Sequence, residues 1–250
     1  LRWLVRQGHL LYNPAADLEL PRTEKRLPKA VLTAQEAEAV LAVPDVRTSL
    51  GLRDRAILET FYSTGMRRKE LSDLNVNSID QERGTVMIRQ GKGKKDRLVP
   101  IGARALAWIA TYRDTARPEL LVGRDEGALF LTVMGEPMDL AHLSKLVMEY
   151  VDQAAIGKKG SCHLLRHTMA TLMLENGADT RVIQAILGHE SLESTQIYTH
   201  MSIRHLKTVH TATHPGKLAQ AGQHGLKEAS EPTAEDVLSQ LDREAMEEDE

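Results

Sequence analysis

Tyr198 stands nine residues after His189 in the segment Gly188-His189-Glu190-Ser191-Leu192-Glu193-Ser194-Thr195-Gln196-Ile197-Tyr198. Upstream lie three further clusters: Thr64-Gly65-Met66-Arg67-Arg68-Lys69-Glu70-Leu71, then Gly91-Lys92-Gly93-Lys94-Lys95-Asp96-Arg97, then His163-Leu164-Leu165-Arg166-His167. Together they supply guanidinium groups, ammonium groups, imidazoles and a late phenol. Those are the parts of a phosphoryl transfer that runs without a metal ion. A phosphodiester resists attack because its oxygens repel a nucleophile. A catalyst must neutralise the nonbridging oxygens, activate the attacker and protonate the leaving oxygen. Arginine suits the first task, since it stays charged and offers a planar fork to two oxygens at once. Histidine exchanges protons near neutral pH. His163 lies three residues before Arg166, so on one helix both side chains share a face. A phenol, with a pKa of about 10, attacks only where cations stabilise its phenolate.

Several neighbours compete for these tasks. Arg68 stands beside Arg67, and Lys94 and Lys95 share a turn with Lys92. His163 and His167 form an i,i+4 pair that could suggest a metal, but Leu164 occupies the place of the glutamate that the zinc-protease motif requires. Tyr62, Tyr112 and Tyr150 fall within predicted helices and read as packing residues, and Tyr12 has no motif around it.

The elements that must position these groups are mostly helical. Thr33-Ala34-Gln35-Glu36 is a capping box that starts a helix through about Val43, with Pro44 beyond it. A second helix spans Leu52–Thr64, with Leu52, Ala56, Ile57 and Phe61 near one face and Gly65 as its stop. A third runs from Arg67 to Leu74. Thr85–Arg89 and Arg97–Pro100 read as short strands joined by the glycine-lysine turn. Helices follow over Ala103–Arg117, over Asp139–Ile156 with an Asp cap, over His163–Asn176 before Gly177, and over Thr180–Leu187 before Gly188. Leu129-Phe130-Leu131 reads as a brief strand. Short helices are expected over Ser194–Tyr198 and Ile203–His210.

The order and internal gaps of the four clusters resemble the tyrosine recombinases, the phage-integrase-type site-specific recombinases, over roughly Leu27 to Pro215. The resemblance implies a tyrosine recombinase catalytic-domain fold, mainly α with a small antiparallel β-element. It selects Arg67, Lys92, His163, Arg166, His189 and Tyr198 as the catalytic residues, and Arg67 over Arg68 because the arginine follows a glycine-hydrophobic pair. By the same resemblance Arg67 and Arg166 hold the phosphate and His189 hydrogen-bonds it. His163 takes the tyrosine's proton or orients the phosphate. Lys92 protonates the departing 5′ oxygen, and Glu70 buttresses Arg67. Tyr198 would then form a 3′-phosphotyrosyl link and release a 5′-hydroxyl without metal, cofactor or ATP. Implied partners are double-stranded DNA and three further copies, four protomers on two duplexes. No membrane and no small-molecule substrate enter. The family docks a C-terminal segment into the neighbouring protomer, and Ile203–His210 with its flanks is the candidate. Alternatives are a type IB topoisomerase-like nicking-closing enzyme and a non-catalytic, truncated DNA-binding fragment. Cys162 departs from the family pattern, which often has proline there; a small buried thiol is expected.

Composition agrees with this reading and sets its limits. The 250 residues are 42% apolar and 27% charged, as in globular proteins, with no run long enough to span a membrane. One cysteine, Cys162, excludes an intramolecular disulfide and suits a reducing, cytoplasmic setting. The net charge of −3 hides an asymmetry. Beyond Pro215 there are three basic and ten acidic residues, so the body before it carries a small basic excess. Four regions are expected: residues 1–21, a remnant of an N-terminal DNA-gripping domain; 22–30, a linker; 31–215, the catalytic domain; and 216–250, an acidic tail. Few apolar anchors make that tail a disordered one, with a marginal helix through Val237, Leu238 and Leu241.

Overall fold

The computed structural model describes residues 1–14, 31–89, 96–188, 203–216, 237–238 and 240–242. Helix α1 (Arg2–Arg6) is a single short turn near the start. Helix α2 (Ala34–Ala42) begins at the Thr33–Glu36 capping box, both halves of which are made. Helix α3 (Ser49–Thr64) starts three residues earlier than the sequence suggests, because the Thr48 hydroxyl caps the Gly51 N–H at 3.0 Å.

The sequence gives α3 one apolar face, yet almost its whole circumference is buried. It is the axis of the domain, packed by α2 and by helices that follow. Its buried charges are therefore paired inside. Arg53 bonds Asp54 at 2.7 Å and the Leu131 carbonyl at 2.9 Å, and the Tyr150 hydroxyl donates to Asp54 at 2.7 Å. A buried ion is tolerated only with such partners.

Helix α4 (Arg68–Ser72) follows, then a three-stranded antiparallel sheet of β1 (Ile79–Asp80), β2 (Thr85–Ile88) and β3 (Arg97–Pro100), in that order. The hairpin is the expected one, and β1 is an addition to it. Register pairs Ile88 with Arg97, and Lys92 lies in the sequence between them, outside the described residues.

The helix expected over Ala103–Arg117 is interrupted. Helix α5 (Ala103–Thr111) passes into a π turn at Tyr112–Ala116 and then into α6 (Arg117–Leu120). Pro118 lies just beyond the interruption; it lacks a backbone N–H and crowds the preceding turn. Leu129–Leu131 forms no strand. Only isolated bridges, Asn75 to Ala128 and Leu131 to Pro137, occur there.

Helices α7 (Leu140–Gln153), α8 (Cys162–Glu175) and α9 (Thr180–Leu187) complete the wall around α3. Helix α10 (Ile203–Thr213) lies on the chain's own body against α8, α9 and β3. Leu206 and His210 are buried there, and the His210 Nε2–H donates to the Ser63 carbonyl at 2.6 Å. The apolar side of Ile203–His210, the core of the segment expected to dock into a neighbour, here packs on its own chain. In the tail, residues 237–238 and 240–242 are helical. Val237 and Leu241 are buried, so the marginal helix gains there the apolar contacts that its own sequence cannot supply. The linker at residues 22–30 lies outside the described residues. No helix among the described residues is long and apolar enough to cross a membrane.

Candidate active site

The site begins where α3 stops. Gly65 takes the left-handed conformation, φ +58°, and ends the helix. A Cβ there would stand 2.1 Å from the Met169 Cε on α8 and 2.9 Å from a Leu187 methyl on α9. Glycine therefore serves twice, turning the chain and letting three helices close on one point. Two residues later Arg67 occupies the N-cap of α4, buried. Glu70 fixes it from both ends. Its carboxylate accepts from the Arg67 backbone N–H at 2.8 Å and from Nη1 at 3.1 Å.

Arg166 comes from α8 and is 1% exposed. Its Nη1 donates to the Gly65 carbonyl and its Nη2 to the Leu187 carbonyl at 3.1 Å. Arg67 Nη2 donates to the next carbonyl, Gly188, at 3.3 Å. Helix α9 ends at Gly188 with φ +68°, so its last carbonyls are turned outward as acceptors. The C-terminal end of a helix is the negative end of its dipole and favours cations. The two arginines singled out in the sequence thus meet at one helix end, on the two residues before His189.

A third arginine joins them. Arg97, the first residue of β3, places Nη1 2.7 Å from Glu70 Oε1 and Nη2 2.8 Å from Oε2. Burial alone would raise the Glu70 carboxyl. The Arg97 fork, then the charges of Arg97, Arg67 and Arg166, outweigh it and bring the pKa down to about 2. Glu70 is therefore a carboxylate, in the buttressing place expected for it. Arg97 was not among the residues that sequence reasoning selected. Its only signal was its position at the strand end beside the glycine-lysine turn, and nothing local points to the acid it meets.

His163 is half-buried on α8, one turn before Arg166. Lys92, His189 and Tyr198 lie outside the described residues. Their described neighbours are in place: Arg97 at the base of the Lys92 turn, and Gly188 directly before His189.

The competing residues are engaged elsewhere. Arg68 donates to Ser144 Oγ on α7. His167 is buried, with Nε2 3.9 Å from Asp242 Oδ1 in the tail. Burial lowers its pKa and Asp242 opposes that shift. Cys162 is buried, its thiol 3.7 Å from the Leu143 carbonyl. Burial pushes the phenols of Tyr62 and Tyr150 well above their usual value and that of Tyr112 to about 12, which makes all three poor nucleophiles. No group of three or more metal-ligating side chains exists among the described residues.

Comparison with known proteins bears on the whole domain. The phage integrase family profile matches residues 30–205. Tyrosine recombinase XerC 2 of Ralstonia nicotianae is 53% identical over 217 residues, which cover 87% of this chain and 62% of that protein. Tyrosine recombinase XerD of Pseudomonas aeruginosa is 41% identical over 86% of this chain and 71% of its own length. Among solved structures, that of XerA recombinase superposes with a TM-score of 0.60 at 32% identity, covering 79% of this chain and 70% of that one. The chain thus spans a little under two thirds of the XerC 2 relative.

Proposed function

The chain belongs to the phage integrase family, the tyrosine recombinases, and we propose that it cleaves and rejoins DNA strands at a specific site through Tyr198. One observation carries the chemistry. Arg67 and Arg166, from separate motifs, converge on the carbonyls of Gly188 and Leu187, immediately before His189. Two permanent cations at Leu187 and Gly188, just ahead of the segment that bears the proposed nucleophile, support this reading.

In the proposed reaction the two arginines neutralise the nonbridging oxygens of the scissile phosphate, and His189 hydrogen-bonds it. Tyr198 Oη attacks phosphorus with its proton passing toward His163. The bond to the 5′ oxygen breaks, and Lys92 supplies the proton that makes it a 5′-hydroxyl. One phosphodiester replaces another, so a partner strand's 5′-hydroxyl can reverse the step with no external energy source. Charge neutralisation by fixed guanidinium groups is electrostatic stabilisation of a preorganised kind. The working unit on this reading is four copies on two duplexes.

The experiment is covalent capture. The chain is mixed with a pool of nicked duplexes whose cleavage releases a short strand and blocks religation. A protein–DNA adduct that survives denaturant is expected, and Tyr198→Phe abolishes it while leaving DNA binding nearly intact. Adduct formation by the phenylalanine variant removes Tyr198 from the role. Relaxation of plasmid lacking any captured site would point to a nicking-closing enzyme instead.

A further inference from the structure

Three guanidinium groups, Arg67, Arg97 and Arg166, act on the Glu70 carboxylate. The closest contacts to Glu70 include both prongs of Arg97, at 2.7 and 2.8 Å, whereas the Arg67 guanidinium touches it with one nitrogen at 3.1 Å. Each carboxylate oxygen is shared, one between the two side chains and the other between Arg97 and the Arg67 backbone N–H. Arg97 is held in turn. Its guanidinium packs on Gly188, where a Cβ would come within 2.7 Å of Cζ and Nε.

We propose that Arg97 is a positioning residue of the phosphoryl-transfer site: its fork occupies the Glu70 carboxylate, so that Glu70 orients Arg67 without neutralising it. This rests on the function proposed above. A fork-to-fork arginine–carboxylate pair is the strongest geometry open to either group. In a buried setting, Glu70 left to Arg67 alone would take both of its prongs and cancel its charge. With Arg97 in the fork, that pairing is already made. Arg97 also ties the base of the hairpin carrying Lys92 to the motif carrying Arg67, since Arg97 pairs across the strands with Ile88.

The test uses charge rather than bulk. Single-turnover adduct formation is measured on nicked duplexes bearing either a phosphate or a neutral methylphosphonate at the scissile position, well below each variant's melting temperature. Arg97→Ala should slow the phosphate reaction by 10-fold or more, with duplex affinity in the Tyr198→Phe background changed by less than about 3-fold. Arg97→Lys should fall between. In Arg97→Ala, adding Glu70→Gln should recover most of the loss, because the carboxylate that captures Arg67 is gone. The Arg97→Ala defect should shrink to less than about 3-fold on the methylphosphonate, which presents no charge to neutralise. Equal defects on both esters, or no recovery in the double variant, would overturn the proposal and leave Arg97 a scaffold residue.

A DNA-free measurement separates this from the reading it rests on. Sulfate should raise the melting temperature of the parent chain, less so that of Arg97→Ala, and more again that of the double variant. A parent that responds to sulfate in this pattern but captures no duplex sinks the recombinase reading and keeps the arginine arrangement. An Arg97→Ala response equal to the parent's, or one the double variant does not restore, sinks the arrangement.

Discussion

Arg67 and Arg166, far apart in the chain, donate to the carbonyls of consecutive residues, Gly188 at 3.3 Å and Leu187 at 3.1 Å. The relationship makes the end of α9 a shared anchor. Any displacement of that helix end moves both guanidinium groups, and with them the residue that leads into His189. Binding chemistry and fold are therefore coupled at one point, and variants there should affect both.

Arg166→Ala is the sharpest case. Its guanidinium is almost fully enclosed and satisfies the Gly65 and Leu187 carbonyls. Truncation orphans both acceptors and leaves a void, at a cost of roughly 1–3 kcal/mol for each unsatisfied buried group. Adduct formation should fall by about 100-fold or more, as losing one preorganised donor to a transition state typically does. The urea midpoint should fall as well. Tyr198→Phe, by contrast, should abolish the adduct without lowering the midpoint. An Arg166→Ala protein of unchanged midpoint would show that the two carbonyl contacts carry no stability.

Lys92→Ala tests the leaving-group proton. A 5′-bridging phosphorothiolate departs as a thiolate and needs no proton. The variant should be slowed on the ordinary ester by about 100-fold and be largely restored on the sulfur ester, read as adduct formed per unit time. Equal slowing on both esters assigns Lys92 to positioning instead.

Much of the scaffold could be read from local residues. The Thr33–Glu36 box, the Asp139 cap and the Gly65, Gly177 and Gly188 stops each act within one helical turn, and the helices begin or end there. Arg67 and Arg166 were singled out for a different reason: short motifs carry them, and the structure brings both to the end of α9. Arg97 was not, because its partner Glu70 is 27 residues away and a lone arginine at a strand end has no preferred acid. The burial of α3 on all sides was hidden because Arg53, Asp54, Glu59 and Thr60 look like a solvent face. The charged ones are inside because partners arrive from elsewhere, Leu131, Tyr150 and Arg104, while Arg55 adds a pair with Glu59 along the helix and Thr60 bonds the Ala56 carbonyl. The placement of α10 was equally non-local, resting on two histidines that donate to the Ser63 and Tyr62 carbonyls.

His210 makes stability depend on pH. Burial lowers the His210 pKa from the ordinary 6.5 to about 4, with the Ser63 carbonyl pulling it back only in part. The unfolded chain therefore takes up this proton first as pH falls. The contribution is fully present above about pH 6.5 and is lost as pH drops toward 4, on the order of 3 kcal/mol in all. His167, lowered by burial, acts with the same sign. Glu70 acts in a lower window, since its stabilisation is lost only between about pH 4.5 and 2. Urea unfolding at pH 7.5 and 4.5 should show a clear drop, smaller in His210→Gln. An identical drop in that variant would remove His210 as a source.

Gly188 and Gly177 both sit in the left-handed region, at φ +68° and +83°, and so form a matched pair. Alanine at either position meets the same backbone penalty, about 1–2 kcal/mol. Their surroundings differ. A Cβ at 177 meets nothing within 4 Å, whereas one at 188 would lie 2.7 Å from the Arg97 Cζ and Nε. Gly188→Ala must push Arg97 off its seat and away from the Glu70 fork; Gly177→Ala must not. Both variants should lose a similar amount of stability to the backbone term, with Gly188→Ala somewhat worse. Only Gly188→Ala should slow adduct formation, by 10-fold or more, when both are assayed well below their melting temperatures. Equal rates in the two variants would mean that the seat of Arg97 on Gly188 does not matter for the reaction.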